Sequence, residues 1–443
     1  MWKKILITIT TIALAIVGTS CSNDKEDDPT ASYDPNEECT ISISWWGGDD
    51  RHDATMQAIQ NFEETYPNIH VEVDYGSWSG WKNKISKDME EGTCTDIIQV
   101  NYDWLSTMSY DGSGFYDLDT LDQYIDLSNF SDDILNFGRR NEVLNAIPVS
   151  ITGRCLFYNT ETFKQVGVGF PTTWDELLDI APKFNKLGYY PLELDNNTGF
   201  TAWYLSIVYE QQKTGKEFIS DDGEITFTVD EIADALRFYK DLQDGGVVRS
   251  ISDKQSQDGT GEFKDTATWS EGRVATILEW GSSVGKYQDA LQNPDDLALG
   301  GLLTSSDAKS VGWFYKPSLL YAINKDTEYP VQSAILLDYL LNDEECAKVL
   351  GTTRGIPVSS TAYDTLKENN LLTGLSAEAN DLILSKDCQL ISPYMENEDM
   401  QKYYNDAVEA VSLEILTPQE ASQGMYANMI YTLNNIKEGV SVS

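Results

Sequence analysis

The chain has 443 residues, 41% hydrophobic and 23% charged, with 31 Lys+Arg against 72 Asp+Glu and a formal net charge of −41. That length accommodates about two to three domains, and that apolar fraction excludes wholesale disorder. A chain this acidic repels phosphate backbones and anionic lipid, which excludes nucleic acid as a partner, and two histidines, His52 and His70, are too few for a His-rich metal centre. The second bias is aromatic, with 11 Trp and 24 Tyr. An acidic, tryptophan-rich surface suits an extracytoplasmic protein that meets neutral, polar, flat-faced molecules such as sugars.

At the N-terminus, Lys3 and Lys4 precede the apolar run Ile5–Val17, too short to span a bilayer. Gly18-Thr19-Ser20-Cys21 follows. This resembles a lipoprotein signal: residues 1–20 are expected to be removed, Cys21 to be lipidated, and the membrane to be met only through that lipid. An ordinary secretory signal is the alternative, and the face of the anchor, cell surface or periplasmic, stays open. Residues 21–40 read as an acidic, extended tether. With Cys21 lipidated, five cysteines remain (39, 94, 155, 346 and 388), in spacings that match no metal or redox motif. Buried free thiols are expected.

Ile41 and Ile43 alternate with Ser42 and Ser44 as a strand that leads into Trp45-Trp46-Gly47-Gly48-Asp49-Asp50-Arg51. A helix follows, capped by Asp49 or Asp50, with Met56, Ile59, Phe62 and Tyr66 on one face and Pro67 as its stop. Ile69, Val71, Val73 and Tyr75 alternate as a second strand. After the loop Gly76–Gly80, a second helix carries Trp81, Ile85 and Met89 on one face and ends at Gly92. Ile97–Val100 reads as a central third strand. This alternation predicts a parallel sheet with right-handed crossovers, in which ligands sit at the loops beyond the strand C-termini. Five of the 11 tryptophans (45, 46, 78, 81 and 104) fall in or beside those loops.

Thr173 with Glu176 and Thr228 with Glu231 are capping-box pairs that open further helices. Ser333–Leu350, Asp399–Val411 and Pro418–Ile436 also read as helical, and Val274–Leu278 and Pro317–Ile323 as buried strands. The chain is α/β throughout, with no internal repeat.

The Trp-Trp-Gly-Gly start, AIQNFEETYP and IHVEVDYGSW resemble the opening of the carbohydrate-type extracellular solute-binding proteins of ABC transporters. TDIIQVNYDWL, IPVSITGRCLFYNTETFKQVGVGFPTTWDELL, WSEGRVATILEWGSS, KPSLLYAINKDTEYPVQSAILLDYLLND and GTTRGIPVS follow in the family's order. The resemblance implies a two-lobe periplasmic-binding-protein-like fold (type II) with a ligand cleft between the lobes. Three hinge crossings fall near 149–152, 316–319 and 355–359, so that 41–150 with 318–357 forms lobe 1 and 151–317 with 358–443 forms lobe 2. It implies an extracytoplasmic receptor of an ABC importer that binds a sugar, expected to be an oligosaccharide, and hands it to permease subunits. No catalysis, cofactor or metal is expected, and the protein is expected to be a monomer.

Sugars are held by aromatic rings stacked on their C–H faces and by carboxylates, amides and arginines on their hydroxyls. The first loop offers Trp46, Asp49 and Arg51, although Asp49 also fits a helix cap and Arg51 its ion pair. The second offers Trp78, with Trp81 taken as core, and the third Asn101, Tyr102 and Trp104. From lobe 2 the resemblance adds Trp203, then Glu279, Trp280 and Gly281 at a strand end, and Trp313 and Tyr315 beside Lys316. Arg354 sits at the last crossing, as a ligand contact or a hinge ion pair. The rival readings are a surface glycan binder without a transporter, commonly all-helical, and a secreted glycosidase. The latter needs two convergent carboxylates, which these loops do not show.

Overall fold

The computed structural model describes residues 33–194, 199–220 and 222–438. The expected signal segment, Cys21 and the tether as far as residue 32 lie outside them. From residue 33 the chain is already folded: Tyr33 packs edge-on against Tyr124, with ring centroids 5.9 Å apart, and Asn68 Nδ2 donates to the Pro35 carbonyl. The tether therefore ends sooner than expected, and Cys39 and Thr40 belong to the first strand.

The chain opens with β1 (Cys39–Trp46), α1 (Asp49–Thr65), β2 (Ile69–Gly76), α2 (Trp81–Glu91) and β3 (Ile97–Val100). β1 pairs in parallel with both β2 and β3, so the expected crossover unit forms. A short ribbon of β4 (Arg139–Arg140) and β5 (Val143–Leu144) follows, then β6 (Ile147–Asn159), β7 (Thr276–Trp280), β8 (Leu297–Leu299), β9 (Phe314–Ile323), β10 (Ile356–Pro357) and β11 (Gln389–Leu390). The main sheet runs β10-β6-β9-β3-β1-β2. β9 joins β3 antiparallel, with Ile97 opposite Ile323, so the purely parallel arrangement holds only for the first three strands.

The 13-residue β6 connects the two halves of the molecule. Its beginning pairs with β9 and β10, and its end pairs with β7 and β8. Ile151 lies opposite Pro317 on one side and Ile356 on the other, so the segments 149–152, 316–319 and 355–359 run side by side. Register shifts fall between Pro148 and Ile151 of β6. Proline cannot donate to a ladder and sits in central strands only at such irregularities.

Three local expectations are corrected. Gly48, with extended backbone, is the residue before α1, and Asp49 and Asp50 lie inside its first turn, where negative charge meets the helix dipole. On α1 the buried residues are Thr55, Ala58, Ile59 and Phe62, while Met56 and Tyr66 are exposed. The segment read as one helix, Ser333–Leu350, is two: Pro330–Asn342 and Glu344–Leu350. Asp343 breaks it by accepting a hydrogen bond from Cys346 N at 2.8 Å as an N-cap.

The first half packs Ile41, Ile43, Phe62, Ile97 and Leu337 between sheet and helices. The second is built around helix Phe200–Thr214, buried on nearly every face and wrapped by Trp174–Asn185, Val229–Asp244, Glu398–Ser412 and Pro418–Lys437. The five described cysteines are unpaired, and burial pushes the Cys94 thiol up to about 11 and Cys388 up to about 12.

One ion network is fully enclosed. Glu193 meets Arg249 and Lys254, each at 2.5 Å, and Arg249 reaches Asp258 at 2.5 Å, with all four side chains at most 3% exposed. Removing one partner of such a network strands charge out of water. Glu193→Gln is expected to cost about 3 kcal/mol or more of stability, read as a shift of the urea midpoint.

Candidate functional site

The C-terminal ends of the three parallel strands each carry a tryptophan. Trp46 ends β1, Trp78 lies in the loop after β2, and Trp104 closes the short 3₁₀ turn Tyr102–Trp104 after β3. The centroid separations are 5.1 Å (Trp46–Trp78), 5.0 Å (Trp46–Trp104) and 5.6 Å (Trp78–Trp104), and the last pair is stacked at 18°. Trp46 and Trp104 are buried beneath Trp78, which is 51% exposed and presents an open ring. Trp45 turns the other way, stacks on Tyr75 and donates from Nε1 to His52 Nδ1 at 3.0 Å. Trp81 is core, as expected.

Beside this slab, Asn101 donates from Nδ2 to Asp103, and Lys82 lies 3.8 Å from Asp103 and 3.8 Å from Glu398. Burial pushes the Asp103 carboxyl up to about 6, against the pull of Lys82. The Lys82–Glu398 contact lies in the wall of a cleft of about 630 Å³, which Met108, Tyr110 and Asn397 also line. Tyr102 is buried, with the Arg140 guanidinium 5.6 Å from its ring centroid.

Across from the slab, Trp280 ends β7 half-buried between two cations. The Arg154 guanidinium lies 4.8 Å and Lys316 Nζ 4.6 Å from its centroid, and Tyr204 meets it edge-on at 5.9 Å. Lys316 also pairs with buried Glu396. Glu279 accepts from Trp280 N at 2.7 Å and lies 3.4 Å from Lys286. Gly281 has no room for a side chain, since an added Cβ would meet Ala379 Cβ at 2.9 Å. Tyr315 is half-buried and packs edge-on against Phe137.

A third group lies under Trp46. Its carbonyl accepts from Arg51 Nη1 at 3.0 Å and Gln99 Nε2 at 3.1 Å, and Arg354 Nε donates to Gln99 Oε1 at 3.2 Å. Burial, with the neighbouring Arg354 charge second, pulls the Arg51 guanidinium down to about 10. Neither arginine makes the ion pair held open for it, and Asp49 stands exposed at the start of α1.

Trp203 and Trp313 do not join these groups. Both are fully buried: Trp203 stacks on Tyr404 and Trp313 on Trp174, because their segments form the centre of the helical half rather than its rim. Asp195, a weaker candidate of the sequence from the same half, lies outside the described residues. Arg154, Gln99 and Glu396 were not anticipated. Arg154 had a signal, being the only charge in the buried strand IPVSITGRCLFYN. Among the described residues no group of three or more His, Cys, Asp or Glu is placed to hold a metal, and no helix is long and apolar enough to cross a membrane.

Residues 48–345 match the family model described as bacterial extracellular solute-binding protein. A periplasmic oligogalacturonide-binding protein from Yersinia enterocolitica, solved with saturated digalacturonic acid, superimposes with a TM-score of 0.82 at 29% identity, over 90% of this chain and 99% of that one. A periplasmic solute-binding protein from Pectobacterium atrosepticum gives 0.85 at 28% identity, with the same coverage. The multiple sugar-binding protein of Streptococcus mutans is 22% identical over 205 residues, 45% of each chain. The chain spans about half the length of the curated relatives it matches.

The Asp103 carboxyl yields a pH test. Its folded value lies above the ordinary one, so the native state binds the proton more tightly than the unfolded chain, and stability is lost as pH rises from about 4 through about 6. Asp103→Asn is expected to match the parent at pH 4 and exceed it by about 1–3 kcal/mol at pH 8, as measured by urea unfolding at both values.

Proposed function

The chain belongs to the bacterial extracellular solute-binding protein family, and from that premise we propose that it is the extracytoplasmic receptor of an ABC importer for an oligosaccharide. The fold is the two-lobe type II arrangement of its structural neighbours. The observation that carries the reading is the aromatic furniture of the strand ends. An open Trp78 backed by Trp46 and Trp104 stands in one half, and a half-exposed Trp280 beside Tyr204 stands in the other. Rings of this kind take the apolar faces of successive sugar units. The named sugar ligands of the neighbours support the same class.

The carboxylates nearest these rings favour binding over hydrolysis. Asp103, Glu279 and Glu396 are each paired with a lysine (Lys82, Lys286 and Lys316), and the matching family and neighbours are binding proteins. In this reading lobe 1 is 41–150 with 318–357, lobe 2 is 151–317 with 358–443, the three crossings flex, and ligand shifts the population toward closure. Cys21 carries the lipid, and permease subunits receive the sugar.

Calorimetry of the purified protein against neutral and acidic oligosaccharides, monosaccharides and amino acids tests the proposal. Oligosaccharides are expected to bind at micromolar or tighter affinity; binding of amino acids or ions alone would overturn it. Trp78→Ala is expected to weaken oligosaccharide binding at least tenfold, about 1.4 kcal/mol, and to leave the melting temperature nearly unchanged. Trp203→Ala is expected instead to cost about 3–5 kcal/mol of stability.

A further inference from the structure

The cleft of about 630 Å³ is not walled by the three slab tryptophans, yet it begins where they end. Two of its walls continue the segments that hold them. Trp78 lies three residues before α2, and Lys82, Asn83 and Ser86 of α2 line the cleft. Trp104 immediately precedes the short helix Leu105–Met108, and Thr107 of that helix, whose hydroxyl donates to the Trp104 carbonyl at 3.1 Å, lines it as well. The third wall belongs to the other half of the molecule, where Asn397 and Glu398 stand at the start of helix Glu398–Ser412. The cleft is thus contiguous with the slab along two segments and is completed by the opposite half.

Its lining suits a sugar. The volume falls within the range of about 300–1,000 Å³ usual for small-molecule sites. Tyr110 lines it and is 51% exposed, as open as Trp78. The side chains of Asn83, Ser86 and Tyr110 make no hydrogen bond or ion pair among the described residues. An amide, a hydroxyl and a phenol are therefore left over for ligand hydroxyls, and a ring for a C–H face.

Charge narrows the class further. Glu90, Glu398 and Asp399 line the cleft against one lysine, Lys82, which lies 3.8 Å from Asp103 as well. A carboxylate on the ligand would meet like charge from both halves. A hydroxyl meets ionised acceptors, to which it donates strongly.

We propose that this cleft extends the binding site, that the units of an oligosaccharide beyond those on the tryptophan slab lie in it against Tyr110, and that those units are uncharged. This rests on the oligosaccharide-receptor reading and adds to it the length of the ligand and the charge of its far end. Because both halves supply the walls, filling the cleft also favours the closed arrangement.

The test is calorimetry of the purified protein with cello-, xylo- and maltooligosaccharides, each as disaccharide and tetrasaccharide, and with di- and tetragalacturonate. In the neutral series that binds, the tetrasaccharide is expected to bind at least tenfold tighter than the disaccharide. Tyr110→Ala is expected to abolish that gap while leaving the disaccharide affinity and the melting temperature unchanged. Ser86→Trp, which fills the cleft from α2, serves as a second variant with the same expectation, whereas Trp78→Ala weakens both lengths. Equal affinity for the two lengths, or a gap that survives in both variants, would sink this inference and leave the receptor reading standing. Galacturonates that gain as much from length, or that alone bind, would overturn it too. Binding of no oligosaccharide at all would sink both.

Discussion

Everything that gives this chain a site depends on one backbone arrangement, the pairing of β6 with β9 on one side and β10 on the other. Ile151 lies opposite Pro317 and Ile356, and Thr152 lies opposite Lys316. β6 lies more than 150 residues from β9 and about 200 from β10 in the sequence, and their register, with β7, brings Arg154 and Lys316 onto one ring, Trp280. The Ser150 and Ser318 hydroxyls both reach the Arg354 carbonyl, so side chains repeat the link that the ladder makes. Register shifts fall in the same stretch, between Pro148 and Ile151.

The sequence read best where the physics is local. Thr228 with Glu231 makes the reciprocal capping box its spacing announces, and Gly92 takes the left-handed conformation that ends α2. The parallel unit of β1, β2 and β3 followed from alternation and short loops. The split at Asp343 was legible in principle, because Asp followed by Glu344 and Glu345 is an N-terminal signature, but an apolar stripe running through it concealed the break. β9 could not be read as antiparallel to β3, since its partner lies more than 200 residues away and nothing in a buried apolar run encodes direction.

Tryptophan was the less reliable guide. Trp78 and Trp203 each follow a glycine-containing stretch, yet one is half exposed and the other is sealed in a helix buried on nearly every face. What separates them is the surroundings. Phe200–Thr214 is apolar all round, the mark of an internal helix, whereas Trp78 stands in a Gly-Ser loop with nothing apolar beside it in sequence. Arginine was left undecided. The sequence left Arg51 and Arg354 open between ligand contact and structural ion pair, and neither makes an ion pair among the described residues. The folded chain brings them to each other instead.

The net charge of −41 and the local charges of a site act over different distances. Surface carboxylates repel an approaching anion through water, and at about 0.1 M salt that field is damped beyond about 10 Å. A carboxylate seated about 4 Å from a guanidinium, at the effective dielectric of a protein site, gains about 4 kcal/mol before its desolvation is counted. Total charge governs solubility and the class of macromolecule the surface tolerates. Which small molecule enters is decided by the local groups of a site and not by the total charge.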